Sequence, residues 1–270
     1  MSNSTQELDE YPFVILGIQD QLFAISSRKV KAMVRIPEVY DLPDKPEWVR
    51  GVINFRGEVI HLVDLRVRLG IRSYLAEIDE LIGMMELREQ EHRDWLLQLE
   101  YSIREKREFT LATDPHQCNF GKWFDQYEAK NLEMRNFLKS FDAPHKKIHQ
   151  IARQAIALNE KGEQTAALRL IETTRKGALS RMIDLFSKFK IMIHDLRNLE
   201  IAVVFESNGV NTAMAVDSIE SVELLEKDSR DKIPEMYSKY KAKLVPYVGK
   251  RKEDGGLVLI LNEQYLVMDD

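Results

Sequence analysis

Runs of apolar residues near the start of the chain predict β-strands. Residues 13–18 and 21–26 flank a two-residue connection and predict a hairpin. A longer segment rich in β-branched residues, 51–65, reverses at Arg56-Gly57. The same pattern returns after residue 198. Further strands are predicted at residues 30–36, 199–207, 212–216, 244–248 and 256–262.

Between residues 80 and 197 the apolar positions follow the three- and four-residue spacing of helices, as in Trp95, Leu96, Leu99 and Ile103. These 118 residues contain four glycines and two prolines, whereas the other 152 contain eight and six, so breakers of regular structure are rare here. We predict an antiparallel bundle of four helices. Their expected bounds are residues 80–108, 114–140, 143–160 and 163–197.

The order of strands, helices and strands predicts an α+β multidomain protein, with a helical bundle inserted into a loop of one β domain. The predicted parts are residues 9–79, 80–197 and 198–270. Charge follows the same division. The helical part has 20 Lys+Arg and 18 Asp+Glu, a net charge of +2, and the flanks have 19 and 26, a net charge of −7. The bundle and its flanks are therefore expected to be separate units.

The composition of the 270-residue chain excludes several classes of protein. It is 44% hydrophobic and 31% charged, as in globular domains, and its net charge of −5 gives no overall basic surface for nucleic acid. We expect neither a signal peptide nor a membrane span, because no long apolar run is present. Cys118 is the only cysteine, which excludes an intramolecular disulfide and favours the cytoplasm.

The predicted bundle carries a set of metal-ligand side chains. His145 and His149 are four residues apart and project from one helix face. Cys118 lies near a predicted helix start, where the helix dipole favours a thiolate, and His92 lies on the same side of its helix as Trp95. Separately, each residue fits an ordinary role in a helix. Together, three imidazoles and one thiol are a tetrahedral donor set for zinc, and they disfavour magnesium and calcium.

The spacing of these residues resembles the chemoreceptor zinc-binding (CZB) domain. The pattern is His92-x2-Trp95, Cys118-x-Phe120-Gly121-x-Trp123 and His145-x3-His149, separated by 22 and 21 residues. The resemblance implies that His92, Cys118, His145 and His149 ligate zinc. It also implies a sensor of zinc or of oxidants such as hypochlorous acid, in which oxidation of Cys118 weakens a ligand, and a homodimer through the bundle. His116 stays an alternative ligand.

Four protein ligands leave no open position for water, which argues against a catalytic zinc, so the chain is predicted not to be an enzyme. Two alternatives stay open. Zinc could only stabilise the bundle of a plain scaffold adaptor, or the chain could be a zinc hydrolase that uses His145, His149 and a carboxylate, Glu91 or Asp142.

The β flanks resemble the chemotaxis coupling protein CheW. Residues 51–66 contain its Gly-x-x-Asn-x-Arg-Gly stretch, then an apolar strand and Asp-Leu-Arg, and residues 13–26 and 199–269 are similar to its remaining strands. The resemblance implies a double β-barrel domain without an active site, here split by the helical insert. It also implies two partners, the cytoplasmic tip of a bacterial chemoreceptor and a CheA-type histidine kinase. Asn54, Arg56 and Gly57 match the segment tied to that contact.

Overall fold

The computed structural model of the chain describes residues 11–129, 132–226, 231–232 and 243–267. They form two compact units. The first contains the described residues up to Glu77 and from Leu196 onward, and the second extends from Ile78 to Asp195. Strands dominate the first unit and helices the second. The predicted outer bounds at residues 9 and 270 lie outside the described residues, and the assignment of the parts to domains stays a prediction.

The first unit is built from strands and short helices, and the short helices with both ends in the described residues are α1 (Leu65–Arg68) and α8 (Glu263–Leu266). Its strands, within the described ranges, are β1 (Phe13–Ile18), β2 (Gln21–Ser26), β3 (Val30–Arg35), β4 (Val39–Tyr40), β5 (Val49–Phe55), β6 (Glu58–Asp64), β7 (Ile201–Ser207), β8 (Val210–Val216), β9 (Ser218–Glu223), β10 (Asp231–Lys232), β11 (Tyr247–Lys250) and β12 (Leu257–Ile260).

Strands from both flanks of the chain share each of two six-stranded sheets. The first sheet has the order β10-β11-β12-β2-β1-β9, and the second has the order β3-β7-β8-β6-β5-β4. In the second sheet β6 pairs in parallel with β8, which brings His61 opposite Thr212. Because each sheet needs both flanks, the helices between them are an insertion in one β unit. The predicted fold class is confirmed. The resemblance implies two small barrels, and the structure has one six-stranded sheet in the place of each.

Side chains of the central strands alternate between two cores. In β1, Val14 and Leu16 join a core shared by both sheets, whereas Phe13 and Ile15 join a core within the first sheet. All six residues of β1 are buried. A strand buried on both faces needs apolar side chains at every position, which is why β1 is a continuous apolar run in the sequence.

Two arginines connect the flanks by ion pairs, Arg66, which is buried, and Arg50, which is partly buried. Arg50 Nη1 and Nη2 donate to the carboxylate of Glu200 at 2.6 and 2.7 Å. Arg66, whose exposed fraction is 1%, donates from Nε and Nη2 to Asp217 at 2.7 and 2.6 Å. Removing one partner of a buried pair leaves an uncompensated charge and typically costs about 3–5 kcal/mol. These pairs therefore hold the residues before the insert to those after it.

The second unit is helical, and its first helix begins within the first unit. No helix in the described part of the chain has the length and apolar character that crossing a membrane requires. A 3-10 turn, Lys139–Phe141, and a π-helix, Arg175–Leu179, connect neighbouring helices. The helices are α2 (Tyr74–Glu105), α3 (Asn119–Gln126), α4 (Leu132–Leu138), α5 (Asp142–Glu160), α6 (Gln164–Thr174) and α7 (Ser180–Leu196).

The second predicted helix, residues 114–140, is wrong as a single element. It is divided into α3 and α4, and residues 127–129 between them are not helical. Tyr127, which follows α3, has an extended backbone and stacks on Trp123 with 4.6 Å between ring centres. The helix-forming composition of the segment did not indicate this break.

Candidate metal centre

Three helical elements bring the four predicted ligands together. His92 lies on α2, Cys118 caps the start of α3, and His145 and His149 lie one turn apart on α5. One donor atom of each residue lies within 4.8 Å of the other three. The Sγ atom of Cys118 is 3.2 Å from Nε2 of His145 and 4.0 Å from Nε2 of His92. These four side chains, called the metal cluster below, could hold one metal ion.

Aromatic rings shield the metal cluster from water. The exposed fractions of His92, His145 and His149 are 3%, 4% and 0%, whereas Cys118 is partly exposed. Phe120 lies edge-on to His145, with 5.0 Å between ring centres, and Trp95 lies 4.8 Å from His149. An apolar shell of this kind controls the access of solvent to a metal and the local dielectric.

Burial keeps the imidazoles of the metal cluster neutral. Burial, with the neighbouring histidines, lowers the pKa of His145 to about 2. Burial and the nearby His92 lower the pKa of His149 to about 4, and burial also lowers the pKa of His92. A neutral imidazole is the form that binds a metal, so the site is prepared for a cation over a wide pH range.

Backbone carbonyls orient two of the histidines. Nδ1 of His92 lies 2.7 Å from the carbonyl oxygen of Arg88, and Nδ1 of His149 lies 3.0 Å from that of Ala112. When Nδ1 donates its proton to a carbonyl, Nε2 keeps its lone pair for a metal. Among the described residues, the buried Nε2 of His149 has no hydrogen-bond partner. A metal ion would satisfy this atom, so the residues fit the predicted group.

Local backbone structure positions the sulfur of Cys118. The residue is extended immediately before α3, and Sγ accepts a hydrogen bond from the N–H of Gly121 at 3.2 Å. Sγ also lies 3.3 Å from the carbonyl oxygen of Pro115, to which the thiol donates. Burial raises the pKa of the Cys118 thiol, against the effect of the N–H groups of Gly121 and Phe120. Burial thus outweighs the favourable helix start that the sequence indicated.

The alternative ligand residues lie outside the metal cluster. His116 is exposed, and its Nδ1 is 2.8 Å from Oδ2 of Asp125. The carboxylate of Glu91 accepts a hydrogen bond from Asn119 at 2.9 Å, and Asp142 forms an ion pair on its own helix. Neither carboxylate of the hydrolase alternative belongs to the group of four donors.

Two contributions to the site were missed in the sequence. The carbonyl oxygen of Ala112 accepts from His149 and also from the indole N–H of Trp95, at 2.8 Å. The hydrogen bond between Glu91 and Asn119 connects α2 to the residue after Cys118. The sequence cannot indicate a particular backbone carbonyl, because every residue has one. Glu91 was considered only as a possible metal ligand. Asn119 could have been noticed only through its position beside the cysteine.

The predicted partner residues form the turn between β5 and β6. Arg56 and Gly57 have φ values of 54° and 88°, the left-handed conformations of a two-residue hairpin turn. The side-chain oxygen of Asn54 accepts from the N–H of Gly57 at 2.9 Å, so Asn54 also stabilises the turn. The guanidinium of Arg56 lies 5.1 Å from the ring centre of Phe55. All three residues are exposed, and their contact with a partner stays a prediction.

Comparison with known proteins finds matches to two family models. Residues 12–92 match the family model of the CheW-like domain, and residues 92–156 match that of the chemoreceptor zinc-binding domain. Both resemblances inferred from the sequence are confirmed over these residues, and the similarity of residues 199–269 to CheW stays a prediction. His92, Cys118, His145 and His149 all lie within the second match.

A curated protein and a solved structure are also similar. The chemotaxis protein CheW of Treponema pallidum (strain Nichols) is 29% identical over 76 residues, which are 28% of this chain. The match spans 45% of that relative's own length. The crystal structure of the scaffolding protein TtCheW from Thermoanaerobacter tengcongensis aligns with a TM-score of 0.46 at 12% identity, over 96% of this chain and 94% of that one.

Proposed function

We propose that this chain, which joins a CheW-like region to a chemoreceptor zinc-binding region, is a cytoplasmic adaptor of bacterial chemotaxis and not an enzyme. It couples chemoreceptors to a CheA-type histidine kinase, and one zinc ion in its helical unit adjusts that coupling. The two family matches and the chemotaxis relative support the adaptor role. One observation carries the zinc role: four donor atoms from three helical elements lie within 4.8 Å of one another.

The donor set favours a closed, non-catalytic zinc. Three imidazole nitrogens and one sulfur match tetrahedral zinc in number and softness, and no position is left for a reactive water. Bound zinc would hold Cys118 as a thiolate, although burial alone favours the thiol. His92 and His149 present Nε2 to the ion because their Nδ1 atoms are engaged by carbonyls.

Cys118 is the proposed redox-sensing residue. It is partly exposed, whereas the three histidines are buried. In the net reaction with hypochlorous acid, the thiolate of Cys118 gains the oxygen atom and becomes sulfenic acid, and chloride leaves. The sulfur loses the two electrons that the chlorine gains. Sulfenic acid is a weaker metal ligand, so α3 is released from the metal cluster.

The turn that contains Arg56 is the proposed partner contact. Its arginine can reach carboxylates or carbonyls on a partner helix. Two exposed apolar residues lie close by, Val59 on β6 and Val210 on β8, with exposed fractions of 69% and 59%. Each valine lies two residues before the paired residues His61 and Thr212, at the same end of the parallel strand pair. An arginine beside exposed apolar side chains is a common composition for a binding surface.

Metal analysis tests the zinc proposal. Protein purified without chelator should contain about one zinc per chain. Cys118→Ser should reduce the zinc content, and His116→Ala, the matched control outside the cluster, should retain it. Zinc retained by Cys118→Ser would contradict the closed site and favour the hydrolase alternative.

Binding measurements test the regulation. Zinc release by one equivalent of hypochlorous acid, with altered binding to a CheA-type kinase or a receptor tip, would support the sensor. Zinc retention with unchanged binding would leave a plain adaptor with a structural zinc.

A further inference from the structure

A cavity of about 330 Å³ opens beside the metal cluster. Three of the four predicted ligands contribute to its wall, namely His92, Cys118 and His149. Cys118 is the one predicted ligand of the cluster that is partly exposed, so an ion that arrives from solvent through the cavity meets the sulfur first. The cavity is therefore lined both by predicted ligands and by exposed residues such as Leu111 and Gln117.

One residue of the cavity lining carries an unsatisfied metal-binding nitrogen. His149 is fully buried, and its Nε2 has no hydrogen-bond partner among the described residues. Its Nδ1 is held by the carbonyl of Ala112, which also lines the cavity. The lone pair of Nε2 therefore has a fixed direction and remains available to bind an ion.

The cavity is negatively charged at its rim. Glu91 and Asp94 line it, and its lining contains no lysine or arginine. The charge of Glu91 is partly offset by an ion pair with Arg88. Asp94 is exposed and accepts a hydrogen bond from the neutral side chain of Gln90 at 2.9 Å, so its charge is not offset by that contact. Carboxylates at the mouth of a cleft raise the local concentration of cations and the rate of their association.

We propose that this cavity is the route by which a divalent metal ion enters and leaves the metal cluster. The inference rests on the proposed zinc site. It adds the path that the ion takes and the selection of cations by the carboxylates that line the cavity. Asp94 draws the hydrated cation to the mouth, Cys118 is the first ligand reached, and His149 completes the inner wall. Asp94 acts as a steering residue and does not bind the metal in the final site.

Rates of metal exchange test the route. Metal-free full-length protein is mixed with Zn²⁺ in a stopped-flow instrument with a fluorescent zinc indicator, and release is followed by transfer to a chelator. Asp94→Asn should slow association about threefold to sixfold at about 10 mM salt, an effect that should disappear at high salt. Asp184→Asn is the matched control, because this exposed carboxylate on α7 does not line the cavity.

A second variant tests the route without changing charge. Leu111 lines the cavity and is 42% exposed, and Leu111→Trp should fill part of the space. Narrowing a route slows entry and exit by the same factor, here about threefold or more, and leaves the dissociation constant unchanged. Circular dichroism checks that the variant is folded. Wild-type rates in both folded variants would overturn the route and leave the zinc site intact, whereas a wild type without zinc affinity would overturn both proposals.

Discussion

The backbone of Pro115 lies directly against Gly121, and a Cβ atom at residue 121 would collide with the Pro115 carbonyl oxygen. The glycine is needed for this close approach, because its own position in α3 is ordinary helix. The approach also shapes the turn in which Sγ of Cys118 accepts the N–H of Gly121. Gly121 is thus a positioning residue for the predicted cysteine ligand.

Gly121→Ala is expected to displace the turn that carries Cys118. Overpacking of this kind costs about 1–3 kcal/mol in stability, and we expect at least about a tenfold loss of zinc affinity. Competition with a chelator of known affinity measures the loss. Gly83→Ala is the matched control: residue 83 also lies in a helix, with nothing within 4 Å of the added Cβ, so zinc affinity should be unchanged and stability about 0.5–1 kcal/mol higher. Equal zinc affinities of the two variants would contradict the positioning role.

Trp95→Phe is expected to lower zinc affinity about tenfold, because it removes the N–H that fixes the carbonyl of Ala112 and, through it, His149. The phenylalanine ring still packs on His149, so helical content should not change. Isothermal titration with zinc in the presence of a competing chelator gives the affinity. As a control, Trp123→Phe keeps a ring to stack on Tyr127 and should bind zinc like the wild type. An unchanged affinity in Trp95→Phe would show that this hydrogen bond does not support the ligand.

Chelator-stripped protein is expected to lose stability in mild acid. Burial lowers the pKa of His149 to about 4 from its ordinary value of 6.5. Between these values the unfolded chain binds a proton at His149 that the folded chain does not, so the free energy of unfolding falls as pH decreases from about 6.5 towards about 4. Denaturant unfolding across this range measures the slope. In His149→Gln the free energy of unfolding should depend less steeply on pH. Identical slopes for the variant and the wild type would refute the assignment of this pH dependence to His149.

Arg56→Ala is expected to weaken binding to a receptor tip or a CheA-type kinase by about 1–2 kcal/mol, the usual effect of removing an interface arginine. The side chain is exposed, so the melting temperature and zinc content should not change. Lys31→Ala is a suitable comparison, because Lys31 is an exposed cation on β3 that pairs with Glu206. Surface plasmon resonance with an immobilised partner compares the affinities of the two variants. If Arg56→Ala and Lys31→Ala bind like the wild type, the turn is not the contact.

Features of the site that depend on local geometry were predictable from the sequence. His145 and His149 had to share a helix face, because residues four apart are neighbours on any α-helix. The turn at Arg56-Gly57 was predictable because glycine adopts positive φ without strain. The second helix was mispredicted because its residues favour helix locally, whereas the backbone leaves the helical conformation at Tyr127.

The sequence by itself determined the β-α-β order, the helical insert and the four donor side chains, since periodicity, composition and residue chemistry are carried by short segments. The tertiary structure alone decided the rest. Only folding shows that β6 pairs with β8 across the insert, that the Ala112 carbonyl orients His149, and that a cavity with Asp94 at its rim leads to Cys118. These features join residues that are distant along the chain, and their proximity depends on packing that no local pattern encodes.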